Sequence, residues 1–225
     1  METHVALLFR HDASGRMVTV NQSGGPPAPR VFVGRTLDGN IYRFRHDLPA
    51  SLASELEAIL ATEPVADDLR RPPATFPQLR DALEAHAPVE RIWQGPAYRF
   101  PERVSLRHDI ATSAVSDAAM LRHRFPGWTA DLAESQPCAA VVQGGDAVAV
   151  CCSSRNSSRA AEAGVDTAAE FRGRGFGSAA VSAWAQAVRE SGREPLYSTS
   201  WDNHASQAVA RRLGLVQYGA DLHFT

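Results

Sequence analysis

The sequence predicts an α/β (α+β) chain, a mixed sheet with helices packed on it. Three observations carry this prediction. β-prone runs alternate with segments of helical period along the 225 residues. Clusters of Gly, Pro and Asn separate them. A glycine-rich turn, Arg172-Gly173-Arg174-Gly175-Phe176-Gly177-Ser178, follows a β run and opens a long helix. At roughly 150 residues per domain, this length suits one large domain or two small ones. The reading is an N-terminal α/β region over residues 1–105 and a second domain over residues 106–225.

In the first region, short β runs fall at Val5–Phe9, Val18–Val20, Val31–Val33 and Ile41–Phe44. A helix opens at Pro49-Ala50-Ser51 and runs to about Thr62, with Leu52, Leu56, Ile59 and Leu60 on one face and Pro64 as its stop. A second helix is expected over Phe76–Ala87, and residues 90–105 read as a strand and a connection. The second region then reads helix, β, β, β, helix, β, helix, β. Its helices are expected at Ser113–Arg124, Gly177–Glu190 and Asn203–Leu213, and its β segments at Cys138–Gln143, Ala147–Ser153, Ala160–Thr167, Leu196–Ser200 and Leu215–Phe224. Gly144-Gly145-Asp146 joins the first two of these strands as a hairpin.

Composition removes several chemistries. All 23 basic residues are Arg. Without Lys there is no GxxxxGK[ST] phosphate loop, no protein-kinase site and no Schiff-base nucleophile. A net charge of -2 gives no basic footprint for nucleic acid. No run of 18 apolar residues suggests a membrane span, and the first residues lack the pattern of a signal peptide, so the expectation is a cytoplasmic chain without membrane partners. Cys138, Cys151 and Cys152 are an odd, small set and are expected as buried thiols, with 151 and 152 on opposite strand faces. No HExxH or CxxC spacing appears, so no metal is expected.

The glycine-rich turn admits three readings. It can be a tight structural connection. It can be a dinucleotide fingerprint, but that needs G-x-G-x-x-G on the first strand of a βαβ unit, whereas Gly173, Gly175 and Gly177 give G-x-G-x-G late in the chain. It can be an anion site, because the first N–H groups of a helix have no intrahelical partner and lie at its positive end, and Arg172 and Arg174 add charge.

The third reading gains from a resemblance. [QR]-x-x-G-x-[GA] between a strand and a long helix, here Arg172, Gly175 and Gly177, resembles the acyl-coenzyme A signature of the GNAT N-acetyltransferase superfamily. Downstream, Asn203 opens a helix carrying Ser206 and Val209 that ends in Leu213-Gly214-Leu215, which is similar to the same superfamily. The resemblance covers residues 106–225, and residues 1–105 are similar to the extra N-terminal region of some bacterial members. It implies the GNAT fold, a mixed, mostly antiparallel sheet flanked by helices. It implies acetyl-CoA as co-substrate and a small-molecule or peptide amine as acceptor. The oligomeric state, monomer or homodimer, stays open. By position, Val165, Asp166 and Thr167 would meet the pantetheine amides. Gly173, Arg174, Gly175, Phe176, Gly177 and Ser178, with Arg172, would hold the pyrophosphate, and Asn203 would reach the cofactor. Asn203 is equally a helix N-cap. Arg211 and Arg212 could touch the 3′-phosphate or simply end a helix in solvent.

The catalytic pattern departs from the family. Many members place a Tyr seven residues after the motif Asn, and that position is Ala210. Tyr197, Ser198, Ser200 and Tyr218 are substitutes that spacing does not rank. Glu162 is the candidate general base, followed by Asp166, with Glu134 and His204 behind. Strand alternation puts Glu162 opposite 161, 163 and 165, so it reaches a cleft only if the cleft is on the even face or a bulge shifts the parity. A catalytically weak sensor of a coenzyme A ester or an amine is the alternative to an enzyme.

Overall fold

The computed structural model describes residues 1–102, 104 and 109–225. The expected division at 105/106 lies outside the described residues. In chain order the elements are α1 (Glu2–Leu8), β1 (Phe9–His11), β2 (Met17–Val20), β3 (Val31–Thr36), β4 (Gly39–Phe44), α2 (Ala50–Leu60), α3 (Phe76–His86) and β5 (Ile92–Arg99). There follow β6 (Thr112–Ala114), β7 (Cys138–Gln143), β8 (Asp146–Asn156), β9 (Ala160–Thr167), α4 (Phe176–Glu190), β10 (Glu194–Ser198), α5 (His204–Arg212) and β11 (Val216–Phe224). Two compact units emerge. One holds Met1–Ala97, Thr199–Asn203 and Gln217–Thr225; the other holds Tyr98–Ser198 and His204–Val216.

In the first unit, β3 pairs antiparallel with both β4 and β11. Alternation along β3 sorts its side chains. Val31 and Val33 join Leu52, Leu56, Leu79 and Leu83 under α2 and α3, while Phe32 packs with Val5, Leu8, Phe9 and Met17 on the other face. Arg30, just before β3, is buried and closes the end of α3: its guanidinium donates to the carbonyls of Leu83 (3.2 Å), Ala87 (3.0 Å) and Pro88 (3.0 Å). Leu83 O also accepts the Ala87 N–H at 3.0 Å, and Ala87 and Pro88 lie just past the helix, so the guanidinium gathers the chain where α3 ends. Of the strand expected at Val5–Phe9, Val5–Leu8 are instead the end of α1, and only Phe9 is extended, as the first residue of β1. A short apolar run satisfies either period, and here its residues pack against the Phe32 face as a helical turn.

A charged group is also buried in this unit. Asp221 on β11 lies 2.8 Å from His223 and 3.4 Å from His4. Burial alone would raise the Asp221 carboxyl, but the two imidazoles outweigh it and hold the carboxyl down at about 2.

The second unit carries the strand order β10-β9-β8-β7-β6. β6, β7, β8 and β9 pair antiparallel, and β9 pairs parallel with β10. On one face Ala149, Cys151, Ala161 and Ala163 pack under α4 and its buried Trp184, whose indole N–H donates to Ser153 Oγ at 3.1 Å. On the other, Val150 and Cys152 pack with Leu121, Phe125 and Leu132. Cys151 and Cys152 thus face opposite sides, as alternation requires. Cys138 and Cys152, however, are not thiols: they lie directly opposite across β7 and β8 and form a disulfide, a pairing that only the strand register reveals. Cys151 is a free thiol, pushed well up by burial. The helix expected over Ser113–Arg124 is absent. Thr112–Ala114 pairs with β7 instead, and Asp117 accepts the Ala119 N–H at 2.8 Å to start a single 3-10 turn over Ala118–Met120.

Two stability measurements check these contacts. Arg30→Ala leaves three carbonyls without their charged donor and should cost about 3 kcal/mol in urea unfolding. Arg30→Lys should recover little of it, since an ammonium lacks the guanidinium fork. Asp221→Asn should cost about 2 kcal/mol at neutral pH. Because the folded carboxyl titrates below its unfolded value, this contribution is present above about pH 4. It should fade as pH falls from there toward the folded value of about 2, so the difference between variant and wild type narrows in acid.

Candidate functional site

The site is built at the end of β9. After Thr167, a 3-10 turn (Ala169–Phe171) leads into the glycine-rich segment. Gly173 (φ 76°) and Gly175 (φ 85°) take left-handed backbone, which Gly adopts without strain. Gly175 is also the N-cap of α4. Gly177 has a different reason: a Cβ there would lie 2.9 Å from Thr167 Oγ1, so glycine lets α4 approach the end of β9. The first intrahelical bond joins Ala179 N–H to Gly175 O at 3.1 Å, which leaves the N–H groups of Phe176, Gly177 and Ser178 without intrahelical acceptors at the positive helix end. Arg172 and Arg174 are exposed beside them. Arg172 Nε donates to the Thr167 carbonyl at 3.2 Å, and the Arg174 guanidinium lies 5.3 Å from the Phe171 ring centre. The segment is therefore a cationic, donor-rich helix start of the kind that can hold an anion.

The ladders of β9 end at different places. Toward β10 the pairs are Glu194↔Ala160, Pro195↔Ala161 and Leu196↔Glu162. Toward β8 pairing runs on to Thr167, opposite Ala149. Among the described residues β10 thus releases β9 after Glu162, and backbone groups of Val165, Asp166 and Thr167 that point away from β8 border the opening.

Glu162 sits at the point of release and is 2% exposed. It projects from the face opposite α4, the even face of β9. A bulge is present, but it lies in β8, between Ser153 and Arg155. It shifts the parity of β8 and sets Arg155 opposite Glu162, where Arg155 Nη1 donates to Glu162 Oε2 at 2.9 Å. Ser198, at the end of β10, donates from Oγ to Glu162 Oε1. Glu162 is legible in the sequence, whereas these two partners are not, because no spacing along the chain connects them to it.

The same face carries an open cleft of about 600 Å³ along Asp166–Ala169, walled also by Arg124, Trp128 and Arg172. Trp128 Nε1 donates to Asp166 Oδ2 at 2.7 Å. Its ring covers Gly164, where any Cβ would collide with it. Asp166 is thereby engaged. Arg124 pairs with Glu170 and lies over Phe171, 5.1 Å from the ring centre.

The remaining candidates are dispersed. Ala210 is buried in the core of the second unit. Tyr197 faces the α4 side. Its hydroxyl bonds to Ser206 Oγ at 2.5 Å, and burial pushes it well up, so it stays protonated. Asn203 immediately precedes α5, its N–H donating to Ser200 O at 3.2 Å, and groups with the first unit, as do Ser200 and Tyr218. Glu134 and His204 are exposed, and so are Arg211 and Arg212 in the last turn of α5. Trp201 lies under the Arg70 guanidinium at 5.4 Å. Among the described residues no helix is long and apolar enough to cross a membrane, and no group of three or more His, Cys, Asp and Glu could hold a metal ion.

No curated protein matches the chain. Among solved structures, a GNAT-family acetyltransferase from Colwellia psychrerythraea aligns with a TM-score of 0.52 at 12% identity, over 82% of this chain and 75% of its own. A GNAT-family protein from Novosphingobium aromaticivorans aligns with a TM-score of 0.50 at 17% identity, over 61% of this chain and 66% of its own. At these identities the likeness shows the fold, a mixed and mostly antiparallel sheet flanked by helices. The family model of the GNAT acetyltransferase domain matches residues 76–216, which include the opening at Glu162, the glycine turn and α5. The chain belongs to the GNAT acetyltransferase family.

Proposed function

We propose that the protein transfers an acetyl group from acetyl-CoA to a primary amine by direct attack in a ternary complex. The observation that supports this best is the release of β9 by β10 at Glu162, next to the left-handed glycine turn that opens α4. In this reading the backbone of Val165, Asp166 and Thr167 pairs with the pantetheine amides. The N–H groups of the Gly173–Ser178 turn hold the diphosphate. Arg172 and Arg174 neutralise it as permanently charged groups. Bound acetyl-CoA supplies a thioester whose carbonyl carbon accepts the amine.

The chain's own tasks are then limited. The ammonium must lose a proton to become a nucleophile, and Glu162 is the base. Nitrogen forms its bond to the acetyl carbon as the C–S bond breaks, and the sulfur leaves as a thiolate that takes up the second nitrogen proton, so no separate acid is obligatory. That is consistent with Ala210 in place of the family's Tyr. The same Ala210 favours a second reading, a sensor that binds a coenzyme A ester without turnover.

Thiol release over a panel of amines, with acetyl-CoA binding titrated separately, tests this proposal. Turnover on some amine is expected, and tight binding without turnover on any would replace the enzyme with the sensor. Gly175→Ala puts a Cβ on left-handed backbone at the diphosphate cradle, and should weaken acetyl-CoA binding about tenfold or more while the far-UV CD spectrum is kept. Glu162→Gln should leave acetyl-CoA binding intact and lower turnover about tenfold or more; unchanged turnover would remove Glu162 from the mechanism.

A further inference from the structure

We propose that Ser198 is the group that takes the proton from the acceptor amine and hands its own to Glu162, so that the working base is a serine–glutamate relay. The inference rests on the transferase reading and deepens it.

Glu162 is buried, and each of its oxygens accepts a bond from a flanking side chain, Oε2 from Arg155 and Oε1 from Ser198, which stand between it and the open side. Its main-chain carbonyl is held as well, by Ser154 Oγ at 3.2 Å. An amine therefore meets the partners of Glu162 before it meets Glu162. Arg155 cannot serve as the contact, because a guanidinium only donates and does not give up its charge. A hydroxyl donates and accepts at once. Ser198 is part-exposed and lies two residues beyond Leu196, the last β10 residue paired with β9, so it stands at the open side of the release point. The other carboxylate on this face of β9, Asp166, is bound to Trp128 Nε1 at 2.7 Å.

The proton balance closes. One proton passes from the ammonium to Ser198 Oγ while the Ser198 proton passes to Glu162 Oε1. Serine is unchanged, the carboxylate becomes the acid, and Arg155 keeps its charge. The neutral amine forms the N–C bond as the C–S bond breaks. The second nitrogen proton goes to the departing sulfur, and Glu162 returns its proton to water through Ser198.

The experiment compares the wild type with Ser198→Ala, Ser198→Thr, Glu162→Gln and the Ala/Gln double variant. Each is assayed for acetyl-CoA binding by titration calorimetry and for kcat against pH with an amine that the wild type acetylates. The expected result is acetyl-CoA binding within about twofold throughout and kcat of Ser198→Ala down about tenfold or more. Ser198→Thr should recover most of the rate. Ser198→Ala and Glu162→Gln should share one altered pH profile, with the double variant no slower than the slower single variant, as for two parts of one path. A Ser198→Ala enzyme with wild-type kcat and pH profile, or additive losses in the double variant, would overturn the relay while the transferase reading stands. A wild type that binds acetyl-CoA and acetylates no amine would overturn both.

Discussion

Where β10 lets go of β9, the backbone on one side of β9 loses its partner strand, and the second unit is organised around that loss. An unpaired strand edge inside a sheet carries a free-energy cost unless something else meets its donors and acceptors. The ladder to β8 continues to Thr167 and keeps β9 straight, so the opening is held rather than frayed. The polypeptide then turns through two left-handed glycines and starts α4 against the end of the same strand, where Gly177 leaves no room for a Cβ beside Thr167. The opening and the helix N-terminus are consecutive consequences of one short segment. The open strand edge and the free N–H groups of the helix start come from the same stretch of chain.

Neighbouring strands supply what this stretch lacks. The bulge in β8 matters because it changes one strand's parity and leaves the other's alone. Without it, Ser154 would stand opposite Glu162, and Arg155 would fall opposite Ala161 on the α4 face, leaving the carboxylate without that cation. With it, Arg155 compensates a buried charge that would otherwise be costly. The unit's two hydrophobic layers are equally a matter of parity. Cys151 belongs to the α4 layer and Cys152 to the layer with Leu121 and Phe125, and the disulfide to Cys138 ties β7 to β8 on that second side.

Much of this was legible along the chain. The turn, the strand before it and the helix after it could be read because glycine spacing and helix start signals are local. The same holds for α2, α3 and most strands, whose apolar period is long enough to be unambiguous. Legibility failed where structure depends on register or on short runs. Val5–Phe9 could satisfy either period, and only packing made its first four residues part of a helix. Ser113–Arg124 has helix-forming composition, but its first residues pair with β7 and Asp117 ends the extended run with a capped 3-10 turn. The disulfide, the Trp128 cover over Gly164 and the partners of Glu162 all join residues on different strands. Their sequence separations of 14, 36 and 7 carry no pattern until the strands are aligned. A sequence supplies candidates for a site, and register selects among them.

The bridge from Ser198 to Glu162 is also a ruler. A linear ligand entering between β9 and β10 from the Thr167 end runs along five residues of strand before it meets that bridge, about 16 Å at the rise of a β-strand. The distance is set by strand pairing rather than by any side chain lining the path. A ligand whose arm is shorter stops before the carboxylate, and one whose arm is longer must fold or open the bridge. Strand register, read this way, is a length standard against which the sheet measures whatever is laid into it.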